Sequence, residues 1–193
     1  MLENIRKYRV ILASNSPRRR ELLQGLGLDF EVRTMRGIDE SYPPELTGED
    51  IPKFIASRKA EAYLPTLADD ELLITADTIV YCDGEVLGKP DDDADAARML
   101  RQLSGKTHQV ITGVSVSTRQ THRVFATTSL VEFASLTDEE IDYYVTHFHP
   151  NDKAGAYGIQ EWIGYIGVVR LEGSFYNVMG LPVQRLYREL KTI

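Results

Sequence analysis

The chain has 193 residues, enough to bury a core without disulfides or a structural metal. Its 42% hydrophobic and 26% charged residues exclude the disordered and fibrous classes. A net charge of -7 argues against non-specific binding to nucleic acid or to an anionic membrane. Any site for an anionic ligand must therefore gather its cations locally.

The residues before the first strand, Met1-Leu2-Glu3-Asn4-Ile5-Arg6-Lys7, show no apolar signal region. No apolar run approaches the roughly 20 residues needed to span a bilayer. The expected location is the cytoplasm, with no membrane partner. The single cysteine, Cys82, excludes an internal disulfide and a multi-cysteine zinc site.

In chain order, Arg9 to Ala13 reads as a short buried strand built on Val10, Ile11 and Leu12. A helix follows, with Ser16 as its cap, Pro17 at its first position, and an apolar face of Leu22, Leu23 and Leu26. Gly25 and Gly27 end it, and Asp29 to Met35 reads as a second strand. Gly37 to Glu49 is a polar loop carrying two prolines. Ile51, Phe54, Ile55 and Ala62 are spaced for one face of a second helix.

Glu71 to Cys82 is the most apolar strand. The next helix opens on Asp91, Asp92, Asp93 and Asp95, favourable near the positive end of its dipole, and stops at Ser104-Gly105. His108 to Ser117 and Arg123 to Phe133 alternate as an antiparallel pair. Thr137-Asp138-Glu139-Glu140 is a capping box for a helix through Tyr144. Trp162 to Leu171 reads as a strand and Pro182 to Leu190 as a closing helix. Helices mixed with parallel-type and hairpin connections predict an α/β fold around a mixed sheet, with residues 4–193 as one domain.

Five constellations carry chemistry. At Ser14-Asn15-Ser16-Pro17-Arg18-Arg19-Arg20, a strand runs into a helix N-terminus, where unpaired N–H groups and a partial positive charge attract phosphate. Ser14 and Ser16 add hydroxyls, and Arg18 and Arg19 can fork onto phosphate oxygens. Cations there oppose the helix dipole and gain from an anion; an ordinary Ser-Pro cap with solvated arginines is the structural alternative. Asp77 interrupts the apolar strand, and a carboxylate in such a run is costly unless paired or metal-bound. That makes it a candidate general base or metal ligand, beside the hydroxyl of Thr78; capping a turn at a strand end is the alternative.

Lys59 lies near the apolar side of its helix, where a snorkelling lysine is the plain reading. Lys89, in Leu87-Gly88-Lys89-Pro90, only superficially resembles a P-loop, because Pro90 stands where Ser or Thr is required. Asn151 to Gln160 holds two glycines that permit close backbone approach, with Asp152, Lys153 and Gln160 able to supply charge and base-reading hydrogen bonds. Asp39-Glu40 lies in the loop after the second strand. A triphosphate site ordinarily employs Mg²⁺, which prefers carboxylates, and Glu40 with Asp77 is the pair best suited to it. The four histidines show no metal-binding spacing.

Taken in order, Ser14 to Arg19, Asp39-Glu40, Lys59-Ala60, Ala76-Asp77-Thr78, Leu87 to Pro90, Leu103-Ser104-Gly105 and Asp152 to Gln160 resemble the Maf family of nucleoside triphosphate pyrophosphatases. The resemblance covers about Val10 to Pro182. It implies an elongated two-lobed α/β domain of the Maf/ITPase-like kind, with a twisted mixed sheet and a central cleft, often as a homodimer. It gives Asp77 the role of proton acceptor, and sets Ser14, Ser16, Arg18, Arg19, Lys59 and Lys89 along the triphosphate. Glu40 becomes an acid of the site for a divalent metal, Mg²⁺ or Mn²⁺.

Arg18, Thr78 and Gln160 stand where the subgroup resembling dTTP/UTP pyrophosphatases carries Arg, Thr and Gln; Glu161-Trp162 replaces its usual glycine-rich continuation. The implied activity is hydrolysis of dTTP and UTP at the α-phosphate to monophosphate and pyrophosphate, a house-cleaning of nucleotide pools. Asp77, Lys59 and Lys89 are the expected catalytic residues; Ser14, Ser16, Arg18, Arg19, Thr78, Lys153 and Gln160 bind substrate. Arg20 falls outside the matched motif and is expected on the surface. The alternatives are a broader modified-nucleotide pyrophosphatase and a nucleotide-sensing regulator of septation.

Overall fold

The structure is a computed structural model that describes residues 2–193. Seven strands form one mixed sheet in the order β2-β1-β3-β5-β6-β7, with β4 paired to β3 off this path. They are β1 (Arg9–Leu12), β2 (Phe30–Val32), β3 (Glu71–Cys82), β4 (Glu85–Leu87), β5 (Thr107–Ser117), β6 (His122–Phe133) and β7 (Val168–Glu172). The chain divides into two compact units, the first from residues 1–77, 112–127 and 180–193, the second from residues 78–111 and 128–179. The division crosses β3 between Asp77 and Thr78.

In the first unit β1 runs parallel to both β2 and β3, with Val10 opposite Phe30 and Leu72. A strand flanked on both edges and covered on both faces needs the unbroken Val10-Ile11-Leu12 run found here, all of it buried. Helix α1 (Pro17–Gly25) starts as its sequence dictates: the Ser16 side chain accepts from the Arg19 N–H, and Pro17 fills the first turn. Helix α2 (Asp50–Tyr63) buries Ile51, Ile55, Ala56, Ala60 and Tyr63, while Phe54 and Ala62 are only half-buried. Its first turn lies against β5 at Gly113, where an added Cβ would stand 2.3 Å from the Pro52 carbonyl, so glycine alone permits the approach. The closing helix α7 (Val183–Leu190) buries Leu186 and Leu190.

Glu71 is an acid that sequence pattern does not flag. It is 2% exposed at the start of β3, and Arg33 grips both of its oxygens, at 2.7 and 3.0 Å, while Arg9 reaches it at 3.0 Å. Hydrogen bonding from Arg33 is the largest influence and draws the Glu71 carboxyl down to about 2.

In the second unit β3 turns back into β4 through Asp83-Gly84, both with positive φ, as a two-residue hairpin turn requires. Helix α3 (Asp93–Leu103) is capped by Asp92, and α4 (Asp138–Phe148) carries the complete Thr137–Glu140 capping box. The strand expected over Trp162 to Leu171 is instead the helix α5 (Trp162–Gly167) followed by β7. An apolar run of that length does not by itself separate helix from strand. Here Gly164 decides it: an added Cβ would fall 1.8 Å from the Ile159 carbonyl oxygen, so the segment folds back on its own preceding turn. Helix α6 (Phe175–Met179) was not anticipated; its fully buried Asn177 donates to the Val110 carbonyl and to Ser129 Oγ.

Candidate active site

In the first unit the expected residues gather around the β1–α1 turn and the middle of β3. Ser14 is buried, and its hydroxyl accepts from the Ser16 N–H at 3.2 Å; the Ser16 hydroxyl accepts from the Arg19 N–H at 3.4 Å. Both serines thus shape the turn that exposes the helix start. Arg18, Arg19 and Arg20 are all half-buried, so Arg20 is not the surface residue expected of it; its Nε is buried without a hydrogen-bond partner. Arg19 spends two donors on the backbone, Nε on the Gly180 carbonyl at 2.8 Å and Nη1 on the Ala76 carbonyl at 3.0 Å. Burial lowers its pKa, opposed by the negative charges of Asp77 and Glu40 and reinforced by Arg18. The guanidinium therefore sits beside the catalytic candidate, fixed by the strand that carries it.

Asp77 is mid-strand, as its place in the apolar run predicts, and half-buried. Lys59 Nζ donates to its Oδ1 at 2.7 Å and lies 3.2 Å from Glu40 Oε1. Lys59 is not the plain snorkelling lysine: α2 delivers it to two carboxylates that come from a loop and from a strand. With side-chain exposures of 14% for Lys59, 13% for Asp77 and 53% for Glu40, one acid is set in the wall and the other reaches in from solvent. Asp39 faces elsewhere, accepting from the Ser41 N–H.

This donor set suits a hard divalent cation. No group of three or more His, Cys, Asp or Glu side chains that could hold a metal ion exists among the described residues, and the carboxylates gathered around Lys59 are two, Asp77 and Glu40. That is the usual provision for Mg²⁺, which keeps waters and takes phosphate oxygens from the substrate.

In the second unit lie Thr78, Lys89, Lys153 and Gln160. Thr78 is half-buried next to Asp77, and Lys89 is exposed after β4. Lys153, expected to contact substrate, is 8% exposed and held between Asp152 Oδ1 at 2.7 Å and Glu161 Oε1 at 3.2 Å. Glu161 Oε2 also accepts the Tyr144 hydroxyl, which in turn accepts the Gly158 N–H at 3.0 Å. Burial, then the bond to Glu161, raises the Tyr144 pKa. Gln160 is half-buried with its Oε1 shielded and unpartnered, and it lines a cavity of about 300 Å³ together with Ile159, Tyr165, Leu171 and Phe175. Tyr144 and Glu161 were not anticipated as members of this group.

A family model described as Maf-like protein matches residues 9–193. The chain belongs to this family. Over its full length it is 61% identical to a dTTP/UTP pyrophosphatase of Phocaeicola vulgatus and 58% identical to one of Bacteroides fragilis, covering all of each relative. A dTTP/UTP pyrophosphatase of Parabacteroides distasonis is 61% identical over 191 residues, 99% of either chain. Among solved structures, a HAM1 protein from Coxiella burnetii aligns over 96% of this chain and 100% of its own, at 14% identity and a TM-score of 0.49, too remote a likeness to bear on the argument.

Proposed function

We propose that this Maf protein hydrolyses dTTP and UTP between the α- and β-phosphates, giving a nucleoside monophosphate and pyrophosphate. The full-length relatives named dTTP/UTP pyrophosphatase support the substrate class. The observation that carries the chemistry is the Asp77 carboxylate, fixed mid-strand and bonded to Lys59. Water attacks the α-phosphorus, its proton passes to Asp77, and the α–β bridging P–O bond breaks with the electron pair leaving on pyrophosphate. Lys59, Arg18 and Arg19 offset the charge that grows on the leaving group, and the Ser14–Ser16 turn presents helix N–H groups to phosphate; for Lys89 a like role rests on family membership alone. Glu40, with Asp77 wherever that carboxylate serves as ligand and not as base, would hold Mg²⁺ or Mn²⁺, whose contribution when bound is to polarise phosphate oxygens.

Base choice falls to Gln160. Gln160 lines the cavity with Ile159, Tyr165 and Phe175, and a turn of its side-chain amide brings an acceptor to a bound base. Uracil and thymine bring an N3–H to that acceptor, whereas cytosine presents a bare acceptor at N3. Among the described residues, no helix is long and apolar enough to cross a membrane. The proposed setting is the cytoplasm, where nucleotide pools reside.

The test is incubation with Mg²⁺ or Mn²⁺ and dTTP, UTP, CTP, ATP, GTP or 7-methyl-GTP, with separate assays for pyrophosphate and orthophosphate. Pyrophosphate from dTTP and UTP is expected. Orthophosphate would sink attack at the α-phosphate, equal turnover of all six would indicate a broad pyrophosphatase, and tight binding without turnover would favour a sensor.

A further inference from the structure

Gln160 sits between two anchored residues. On one side the Gly158 N–H bonds Tyr144 Oη at 3.0 Å. On the other, the Glu161 N–H bonds the Gly158 carbonyl at 2.9 Å, and the Glu161 carboxylate takes both the Tyr144 hydroxyl and Lys153 Nζ. An added Cβ on Gly158 would stand 2.8 Å from the Glu161 carboxyl carbon, so that carboxylate packs directly on the backbone of the loop it ties. One side chain thus joins the start of the glycine loop, its middle, helix α4 and the start of α5.

Gln160 itself has no such restraint on its amide oxygen, which finds no partner among the described residues. Its aim is set by where the backbone puts it. We propose that Glu161 is a positioning residue for base selectivity, holding Lys153 and Tyr144 so that the loop presents Gln160 in one place. The proposal rests on Gln160 reading the base. A group displaced by about 1 Å loses on the order of tenfold or more in a step that depends on alignment, so slackening the loop should erode discrimination before it erodes chemistry.

The experiment compares wild type with Glu161→Ala, Glu161→Gln and Tyr144→Phe, measuring kcat and KM for dTTP, UTP and dCTP alongside thermal unfolding. For Glu161→Ala the dTTP-to-dCTP ratio of kcat/KM should fall about tenfold, mostly through KM for dTTP, with kcat for dTTP held within about threefold. Glu161→Gln keeps an acceptor but not the charge facing Lys153, and should fall between. Tyr144→Phe removes the link to Gly158 and should shift the ratio in the same direction. If Glu161→Ala fails to fold, the other two variants carry the test. Unfolding at lower temperature with an unchanged ratio in every folded variant would overturn the proposal and leave Glu161 a purely structural residue. If the wild type releases no pyrophosphate from dTTP, the reading of the site falls and this inference with it. A selective wild type with equally selective variants sinks the inference alone.

Discussion

The molecule contains two lysines that each bridge a pair of carboxylates at the same distances. Lys59 lies 2.7 Å from Asp77 and 3.2 Å from Glu40; Lys153 lies 2.7 Å from Asp152 and 3.2 Å from Glu161. What differs is what anchors the acids. In the first group the inner acid, Asp77, interrupts a buried strand and has a lysine beside it, while Glu40 stands on an exposed loop. In the second the inner acid, Glu161, is also bonded to Tyr144 and begins α5, so its oxygens are already occupied. Equal geometry therefore supports unequal roles. In the function proposed above, the first group keeps carboxylate capacity for a reacting water or a cation, and the second spends it on holding a loop.

The sharpest way to break that contrast is Asp77→Asn. The amide keeps the shape and still accepts from Lys59, but it takes no proton. Turnover of dTTP should fall by roughly 10²- to 10⁴-fold while circular dichroism and the unfolding temperature stay near wild type. Turnover within a few-fold of wild type would remove Asp77 as the base and leave the two groups functionally alike.

Next in size is a paired substitution, Lys59→Met and Lys153→Met. Removing Lys59 strips charge from the site, so kcat should drop on the order of 10²-fold with a modest change in stability. Removing Lys153 leaves the half-buried Glu161 with one partner fewer. That should cost about 2 kcal/mol in denaturant unfolding, less than for a fully buried pair because water reaches both acids. If both variants lose turnover and stability in the same proportion, the division of roles is wrong.

Some of this was legible in the sequence because the signals are local. Ser16-Pro17 sets the start of α1, Thr137 with Glu140 that of α4, and a lone Asp in a run of Leu, Ile, Val and Ala marks β3 as chemically unusual. The Lys153–Glu161–Tyr144 group was not legible. Its members are separated by 8 and 17 positions, and only the fold-back at Gly158 and Gly164 brings them together. Glu71 was hidden for a related reason: an acid at a strand's first position reads as an exposed end, and the arginines that bury it come from β1 and from the segment after β2. Trp162 to Gly167 misled because its apolar spacing is compatible with either state, and a backbone contact, not periodicity, made the choice.

The smallest effect separates the two units by pH. In the second unit His108 is 1% exposed, with Nε2 2.7 Å from Tyr157 Oη, and burial pushes its pKa down from 6.5 to about 4. The unfolded chain then binds a proton more readily than the folded one between those values. Stability from His108 is complete above 6.5 and is lost as pH falls toward 4, on the order of 2–3 kcal/mol. In the first unit Glu71 is held down from 4.5 to about 2, so its contribution is present above 4.5 and disappears as pH falls through about 2. Its share between pH 7 and 3 should be the lesser, since its window runs from 4.5 down to about 2 and is only partly crossed in that range. Denaturant unfolding from about pH 7 to 3 should therefore show loss beginning in the upper window and continuing in the lower. His108→Phe should flatten only the upper segment and Glu71→Gln only the lower. An upper segment unchanged by His108→Phe would mean that this ring is not the group being titrated.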